Sequence, residues 1–385
     1  MKALPQGSTI GILGGGQLGR FLVIAAHHLG YRSIVLDPDP HCPAGQVGGK
    51  LIVAAYDDQE ALELLASRIA VATYEFENVS VALVERLQTL GVPVRPGLKA
   101  LTVAQNRIQE KTLCLGLGIP TAPFAAVTEY ADLIAALRHI GFPLMVKTTT
   151  GGYDGKGQRV VRDAKHVEAV WRELGAGSRP LIVEGWIDFA WEASIIVARD
   201  VNGGLQYFPL VENQHVDGIL DVTVAPAQGG NALEEKAKEY AGALAVALEL
   251  VGILAVEFFV TRDGRLLVNE LAPRPHNSGH YTMEATRVSQ YEEMVRAVVE
   301  LPLADPNLLF PAAMVNLLGD LWLGRPGGPD FSQALAIPGS HLYLYGKSEP
   351  RPGRKMGHLT VVDNAGERAA SAALRARRLM SVDDG

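Results

Sequence analysis

From Thr9 to Pro96, short apolar and β-rich runs alternate with stretches whose apolar positions recur at helical spacing. TIGIL is followed by a helical stretch from about Gln17, SIVLD by one near 58–67 and AVATYEF by one near 79–89, and VPVRP closes the series. Such alternation predicts parallel βαβ units over an N-terminal αβ domain, residues 1–103. A polar helix, VAQNRIQEKTLCLGLG, leads into a second region from residue 104. There FPLMVKT, RVVRD, PLIVEGW, EASIIVA and LQYFPLV read as strands with few helices between them, which predicts antiparallel sheets in an α+β arrangement. A helix over 231–250, a break at Gly252 and further strands complete this region by residue 305. HLYLYG and HLTVVD mark a small C-terminal domain, 306–385, so the expected class is α/β and α+β in three domains.

The run ILAVEFFVTRDGRLLVNELAP, 253–273, carries the first chemistry. Asp263-Gly264 between two apolar strands signals a two-residue type I′ turn. With Arg262 opposite Arg265, counting outward sets Glu257 opposite Glu270 on one face. Two carboxylates whose Cβ atoms are roughly 5 Å apart repel, so the pair predicts a hard cation, with a solvated face as the bland alternative. Mg²⁺ takes oxygen ligands and completes its shell with substrate phosphates. Asn269, one residue earlier, faces the other side in an ideal strand and needs a strand-end twist to join the site.

Two glycine-rich runs compete for a nucleotide. In GILGGGQLGR, Gly14, Gly16 and Gly19 satisfy G-x-G-x-x-G between a strand and a helix, and Asp37 ends the next strand. N–H groups at a helix N-terminus suit NAD, ATP or a sugar phosphate equally, and a tight packing turn would need the same glycines. In KTTTGGYDGKGQ, Lys147 ends a strand and Gly151, Gly152, Gly155 and Gly157 follow it. This run departs from the G-x-x-x-x-G-K-[ST] pattern, yet a glycine-rich hairpin can close over a triphosphate while the lysine meets its charge. A dehydrogenase has no use for the Glu257/Glu270 pair, so ATP is assigned to the second run.

Composition narrows the partners. Apolar residues make up 48% and charged residues 20% of 385, as in a soluble globular protein, and the net charge of −7 argues against a nucleic-acid partner. AGALAVALELVGILAVEFFV has a membrane-like length, but Glu249, Gly252 and Glu257 interrupt it, so no membrane partner is expected. Cys42 and Cys114 are too few for a disulfide framework and lack metal-ligand spacing, which predicts free thiols in a reducing compartment. The N-terminal MKALPQGSTIGILGGG breaks the apolar run an export signal would need, and a cytoplasmic location is expected. His276 and His280 stand four apart, but the prolines and glycine around them disfavour a metal-binding helix and predict a substrate-side loop.

Taken in order, GILGGGQLGR, YEFENV, AQNRIQEK, KTTTGGYDGKGQ, VEGWIDFAWEAS, VNELAPRPHNSGHYT and GRKMGH resemble the ATP-grasp superfamily and, within it, the N5-carboxyaminoimidazole ribonucleotide synthetases. The resemblance spans nearly the whole chain. It implies a Rossmann-like pre-ATP-grasp domain, a two-lobed ATP-grasp domain with a nucleotide lid over roughly 120–185, and a small C-terminal domain. It gives Arg107 and Lys147 to the ATP phosphates, with Gly152, Tyr153, Asp154, Gly155, Lys156, Gly157 and Gln158 as their lid. Glu184, Gly185, Trp186 and Ile187 would line adenine and sugar, with Glu192 and His215 nearby. Asn269, Glu257 and Glu270 would hold magnesium and phosphates, in agreement with the hairpin count. The second substrate, 5-aminoimidazole ribonucleotide, would meet Gln17, Leu18, Glu75, Tyr153, Asn277, Ser278, Arg354 and Lys355. Lys156 stands where arginine is common in the family, so a planar fork becomes a point charge.

The chemistry so implied has two stages. Bicarbonate attacks the ATP γ-phosphate to give carboxyphosphate, and the acceptor amine is then carboxylated, with Tyr153, Asp154, Lys156 and Lys355 steering the second stage. Family resemblance also implies a homodimer. The rivals are a formate-dependent glycinamide ribonucleotide transformylase, an NAD-dependent oxidoreductase built on the first glycine run, and a nucleotide-binding regulator without catalysis.

Overall fold

The computed structural model describes residues 3–151, 157–175, 177–325 and 327–381. The N-terminal unit is a parallel sheet in the order Lys50–Val53, Arg32–Asp37, Thr9–Leu13, Val71–Tyr74. Its helices Gln17–His28, Gln59–Ala66 and Val81–Thr89 match the helical stretches read from spacing. VPVRP was expected as a strand and forms only an isolated parallel bridge, Ala72 to Val94. Pro93 and Pro96 have no N–H to give, so the run cannot extend the ladder.

Val103 and Ala104 at the start of VAQNRIQEKTLCLGLG end a separate helix, Leu98–Ala104, and the helix expected over the run is Arg107–Gly116. Asn106 ends the first and caps the second, its Oδ1 accepting the N–H groups of Ile108 at 3.0 Å and Gln109 at 3.2 Å. The break sets Arg107 in the first turn of the second helix.

A small antiparallel sheet follows, in the order Phe124–Val127, Leu181–Gly185, Leu144–Thr148, Gln158–Val161. Two helices absent from the sequence reading, Tyr130–Ile140 and Val167–Glu173, cover one side of it through Leu133, Ala136, Val170 and Trp171. Among the described residues, nine strands form the large sheet, in the order Leu266–Ala272, Gly252–Thr261, Phe189–Arg199, Val211–Val216, Ile219–Ala225, Ala312–Leu318, Lys355–Val362, Ser340–Leu344, with Leu205–Tyr207 also on Phe189–Arg199. The C-terminal strands therefore extend the central sheet through Val222 opposite Val315 rather than building a sheet of their own. Helix Gly366–Ser381 packs on this extension with Ala369, Ala373, Ala376 and Met380.

The membrane-length run resolves into helix Gly230–Ala247 and the buried strand Gly252–Thr261, and among the described residues no helix is long and apolar enough to cross a membrane. The core is shared between units: Leu18, Phe21 and Leu22 of the first helix pack with Tyr291, Met294 and Val298 of helix Gln290–Val298 and with Ile196 and Ile253 beneath.

The hairpin reaches the expected pairing by an unexpected route. Its turn has three residues, closed by the Thr261 N–H on the Arg265 carbonyl at 2.9 Å, with Gly264 at φ +80°. That shifts the register by one, so Phe258 faces Val268. A β-bulge at Asn269 then shifts it back and restores Glu257 opposite Glu270.

Candidate active site

A cavity of about 420 Å³ opens where the N-terminal sheet, the large sheet and the start of strand Lys355–Val362 converge. Gln17, Leu18 and Glu75 line one wall, and Glu257, Glu270 and His215 another. Asn277 and Lys355 close the remainder, so one space gathers eight of the residues expected to bind ligands. Both side-chain amide atoms of Asn277 are buried there with no hydrogen-bond partner among the described residues, which suits a ligand-facing group.

The first glycine run reaches this cavity through Gln17 and Leu18, and the N–H groups of its glycines Gly14, Gly15, Gly16 and Gly19 are already engaged. Asp37 accepts the Gly15 N–H at 2.7 Å and the Tyr56 hydroxyl at 2.9 Å. Glu75 lies across the N-terminus of helix Gln17–His28, accepting from Gly19 at 2.7 Å and from Gly16. A Cβ at Gly14 would come within 2.6 Å of the Glu75 Cγ, so that glycine, at φ +97°, makes room for the protein's own carboxylate. Burial raises the Glu75 carboxyl, and the two N–H groups only partly offset it. A dinucleotide would need those N–H groups for its pyrophosphate.

Opposite, the bulged hairpin presents the carboxylate pair. Burial would raise the Glu257 carboxyl, but the His276 Nε2 at 3.0 Å, with His215 and Arg274 behind it, draws it down to about 2. Glu270 opens on the cavity and is pushed up to about 7 by its desolvated setting and by the charges of Glu257 and Glu77. The pair thus holds more negative charge than its surroundings neutralise, which suits a hard cation. Asn269 is the inserted residue of the bulge, half-buried and outside the cavity lining. Among the described residues no cluster of three or more His, Cys, Asp or Glu could hold a metal by itself, so any cation here completes its shell with substrate oxygens.

The sequence reading missed the ion pair behind this wall. Glu77 and Arg274 pair inside the cavity, joining the N-terminal unit to the large sheet. Burial alone would raise the Glu77 carboxyl, yet Arg274 pulls it to about 2. The available signal was YEFENV itself: in an extended segment Glu75 and Glu77 share a face.

The residues expected to meet the nucleotide gather around the small sheet. Lys147 Nζ lies 2.8 Å from Glu184 Oε2, and Lys111, also unremarked in the sequence, lies 3.4 Å from Oε1. Burial raises the Glu184 carboxyl but the two lysines outweigh it and hold it below the usual range. Arg107 donates to the Thr148 carbonyl at 3.1 Å, one residue beyond Lys147. Gly157 accepts the Thr148 N–H and Gln158 pairs with Lys147, which fixes the far end of the second glycine run. Gly152, Tyr153, Asp154, Gly155 and Lys156 lie outside the described residues. Gly185, Trp186 and Ile187 leave the small sheet toward Phe189; Gly185 donates to Pro123 and Trp186 is exposed. Glu192 accepts from His215 Nδ1 at 2.8 Å, and this bond with the nearby carboxylates raises the imidazole despite its burial.

Two expected ligand contacts stand elsewhere. Arg354 points its guanidinium to the Glu349 carbonyl at 2.6 Å, away from the cavity that Lys355 lines. Ser278 is fully buried behind His276, bonded to Ser194 and to the imidazole. The two histidines of HNSGH part company: His276 lines the cavity, while His280 is buried against Tyr291, Tyr345 and a stacked His358.

The ribonucleotide synthetase preATP-grasp profile matches residues 7–105, the ATP-grasp domain profile 113–291 and the phosphoribosylaminoimidazole carboxylase C-terminal profile 312–372. The chain is 43% identical over 356 residues to the N5-carboxyaminoimidazole ribonucleotide synthase of Bacillus subtilis, covering 92% of each. The chain belongs to the N5-carboxyaminoimidazole ribonucleotide synthase family. It is an ATP-grasp ligase. The family's synthetase from Thermus thermophilus superposes with a TM-score of 0.89 at 43% identity over 98% of this chain and 99% of that one. The Aspergillus clavatus synthase, solved with ADP and 5-aminoimidazole ribonucleotide, gives 0.86 at 32% identity over 97% and 99%. Membership in this family displaces the oxidoreductase suggested by Gly14, Gly16, Gly19 and Asp37, as well as the formate-dependent transformylase.

Proposed function

We propose that the protein carboxylates 5-aminoimidazole ribonucleotide with bicarbonate and ATP, through carboxyphosphate, in purine biosynthesis. The observation that carries this reading is one cavity bearing the Glu257/Glu270 pair on one wall and the Glu75-plugged glycine run on the other. Phosphoryl transfer and capture of the amine then share one enclosure.

Lys147 and Arg107 hold the ATP phosphates at the end of strand Leu144–Thr148. Glu257 and Glu270 would hold Mg²⁺, which when bound offsets charge on the phosphates. Bicarbonate attacks the γ-phosphate, ADP leaves, and carboxyphosphate passes its carboxyl group to the exocyclic amine as inorganic phosphate departs. Carboxyphosphate hydrolyses readily and must be kept from water, with Tyr153, Asp154, Lys156 and Lys355 steering the transfer. The ribonucleotide is held by Gln17, Leu18, Glu75 and Asn277. A homodimer, a cytoplasmic location and domain limits at 1–103, 104–305 and 306–385 complete the reading, and the buried free thiols Cys42 and Cys114 support a reducing compartment.

Phosphate release measured with bicarbonate or formate, each with aminoimidazole ribonucleotide or glycinamide ribonucleotide, tests it. Release that needs bicarbonate and the aminoimidazole is expected; release with formate and glycinamide ribonucleotide would sink it.

A further inference from the structure

On the cavity side of the large sheet, polar side chains run inward from the metal pair through otherwise apolar strands. Ser194 stands directly opposite Glu257, and Asn213 directly opposite Thr223 on the next strand pair. Thr223, Asn213, Ser194 and Ser278 are all buried. Thr223 Oγ1 donates to Asn213 Oδ1 at 2.9 Å, and Asn213 Nδ2 donates to Ser194 Oγ at 2.8 Å. Ser194 Oγ donates to Ser278 Oγ at 2.7 Å, and Ser278 Oγ lies 2.8 Å from His276 Nδ1.

A hydroxyl has one proton, so each link fixes the next. Ser194, having accepted from the amide, gives its proton to Ser278. Ser278 in turn gives its own to His276 Nδ1. A second donor points at the same nitrogen: the backbone N–H of Ser278, 3.3 Å away. That N–H cannot reverse, but at 3.3 Å it is the weaker of the two donors and favours the same tautomer without fixing it alone. Nδ1 therefore carries no proton, and the imidazole proton sits on Nε2, 3.0 Å from Glu257 Oε1. Gln290 holds the ring's own backbone in place, accepting the His276 N–H and donating to its carbonyl, both at 2.8 Å.

We propose that Ser194, Asn213 and Thr223, acting through Ser278, are positioning residues that fix His276 as its Nε2–H tautomer and aim that proton at one oxygen of Glu257. The other oxygen is then presented to the cavity in a set orientation. This rests on the carboxylation reading for its purpose, but the tautomer itself is a property of the protein without substrates.

Nitrogen-15 correlation spectra of the labelled full-length protein, without ATP or metal, read the tautomer directly, with His276 assigned by comparison with His276→Gln. The expected spectrum shows a protonated Nε2 and an unprotonated Nδ1; a protonated Nδ1 overturns the proposal. In Asn213→Asp the side chain accepts from Ser194 as well as from Thr223, so the Ser194 proton turns back and Ser278 follows it. His276 should then show mixed tautomers, with kcat lower by about tenfold and KM for ATP unchanged, the usual scale for removing a partner behind a metal ligand. Ser278→Ala removes the same hydroxyl donor without adding an acid and decides the matter alone if Asn213→Asp does not fold. Variants that keep the wild-type tautomer overturn the relay. The expected tautomer in a protein without bicarbonate-dependent phosphate release leaves the relay standing and removes the carboxylation reading instead.

Discussion

Glu110 accepts the N–H of Leu271 at 2.9 Å, one residue after Glu270 and two after the bulge. It sits on the helical turn that also carries Arg107 and Lys111, so three neighbouring residues reach the end of strand Leu144–Thr148, the strand Leu266–Ala272 and Glu184. Burial and the charge of Glu270 keep the Glu110 carboxyl well above its ordinary value, which makes glutamine a close mimic. Glu110→Gln should fold and turn over like the parent. Glu110→Ala should lose about 1–3 kcal/mol in urea unfolding, because it strands a buried N–H. Equal stability of the two variants would remove the clamp.

Glu270→Gln should raise the Mg²⁺ concentration needed for half-maximal turnover by about tenfold or more, since an amide oxygen is a poorer ligand for a hard cation than a carboxylate. A variant with parental turnover at low Mg²⁺ would take away the metal assignment.

The first glycine run offers a test of which loop serves which substrate. In Gly16→Ala the added methyl would meet the Glu75 carboxylate and displace it. The kcat/KM for the aminoimidazole ribonucleotide should fall by roughly tenfold to a hundredfold, the range for a misplacement near the reacting groups, while KM for ATP stays unchanged. A selective loss of ATP affinity would reverse the assignment of the two loops.

Glu77 links pH to stability. Its carboxyl lies at about 2 in the folded protein against an ordinary 4.5, so the Arg274 pair is fully stabilising above pH 4.5 and is lost as pH falls toward 2. At pH 7 Glu77→Gln should be less stable than the parent by on the order of 3 kcal/mol, and chemical denaturation should show that gap closing below pH 4.5. A gap independent of pH would mean the loss is one of packing.

Local pattern carried the reading well where elements are set by their own residues. The parallel βαβ series and most of the strands follow from periodicity and turn residues. The carboxylate pair came from a count whose two errors cancel: a three-residue turn moved the register one way and the Asn269 bulge moved it back. Neither slip can be read from hydropathy, because the strands beside them, FFV and LLV, are continuous apolar runs with no alternation to fix a register. What stayed hidden depends on distant partners. Nothing local says that Asp37 is spent on Gly15 and Tyr56, that Arg274 finds Glu77 across 197 residues, or that Lys111 shares Glu184 with Lys147. His280 and His276 look alike in sequence, and only the fold of the C-terminal strands, which bring Tyr345 and His358 against His280, separates their roles.

The unbroken large sheet sets limits on how the enzyme works as a machine. Glu257 and Lys355 ride the same sheet, so the spacing between this carboxylate and this basic residue is settled once, at folding, and travels as a unit. The small sheet bearing Lys147 and Glu184 is hydrogen-bonded as a separate sheet, tied to the large one by the chain before Phe124, where Val268 donates to the Pro120 carbonyl, and by the short stretch after Gly185. A rotation of the small sheet about those connections would leave the spacing of Glu257 and Lys355 untouched.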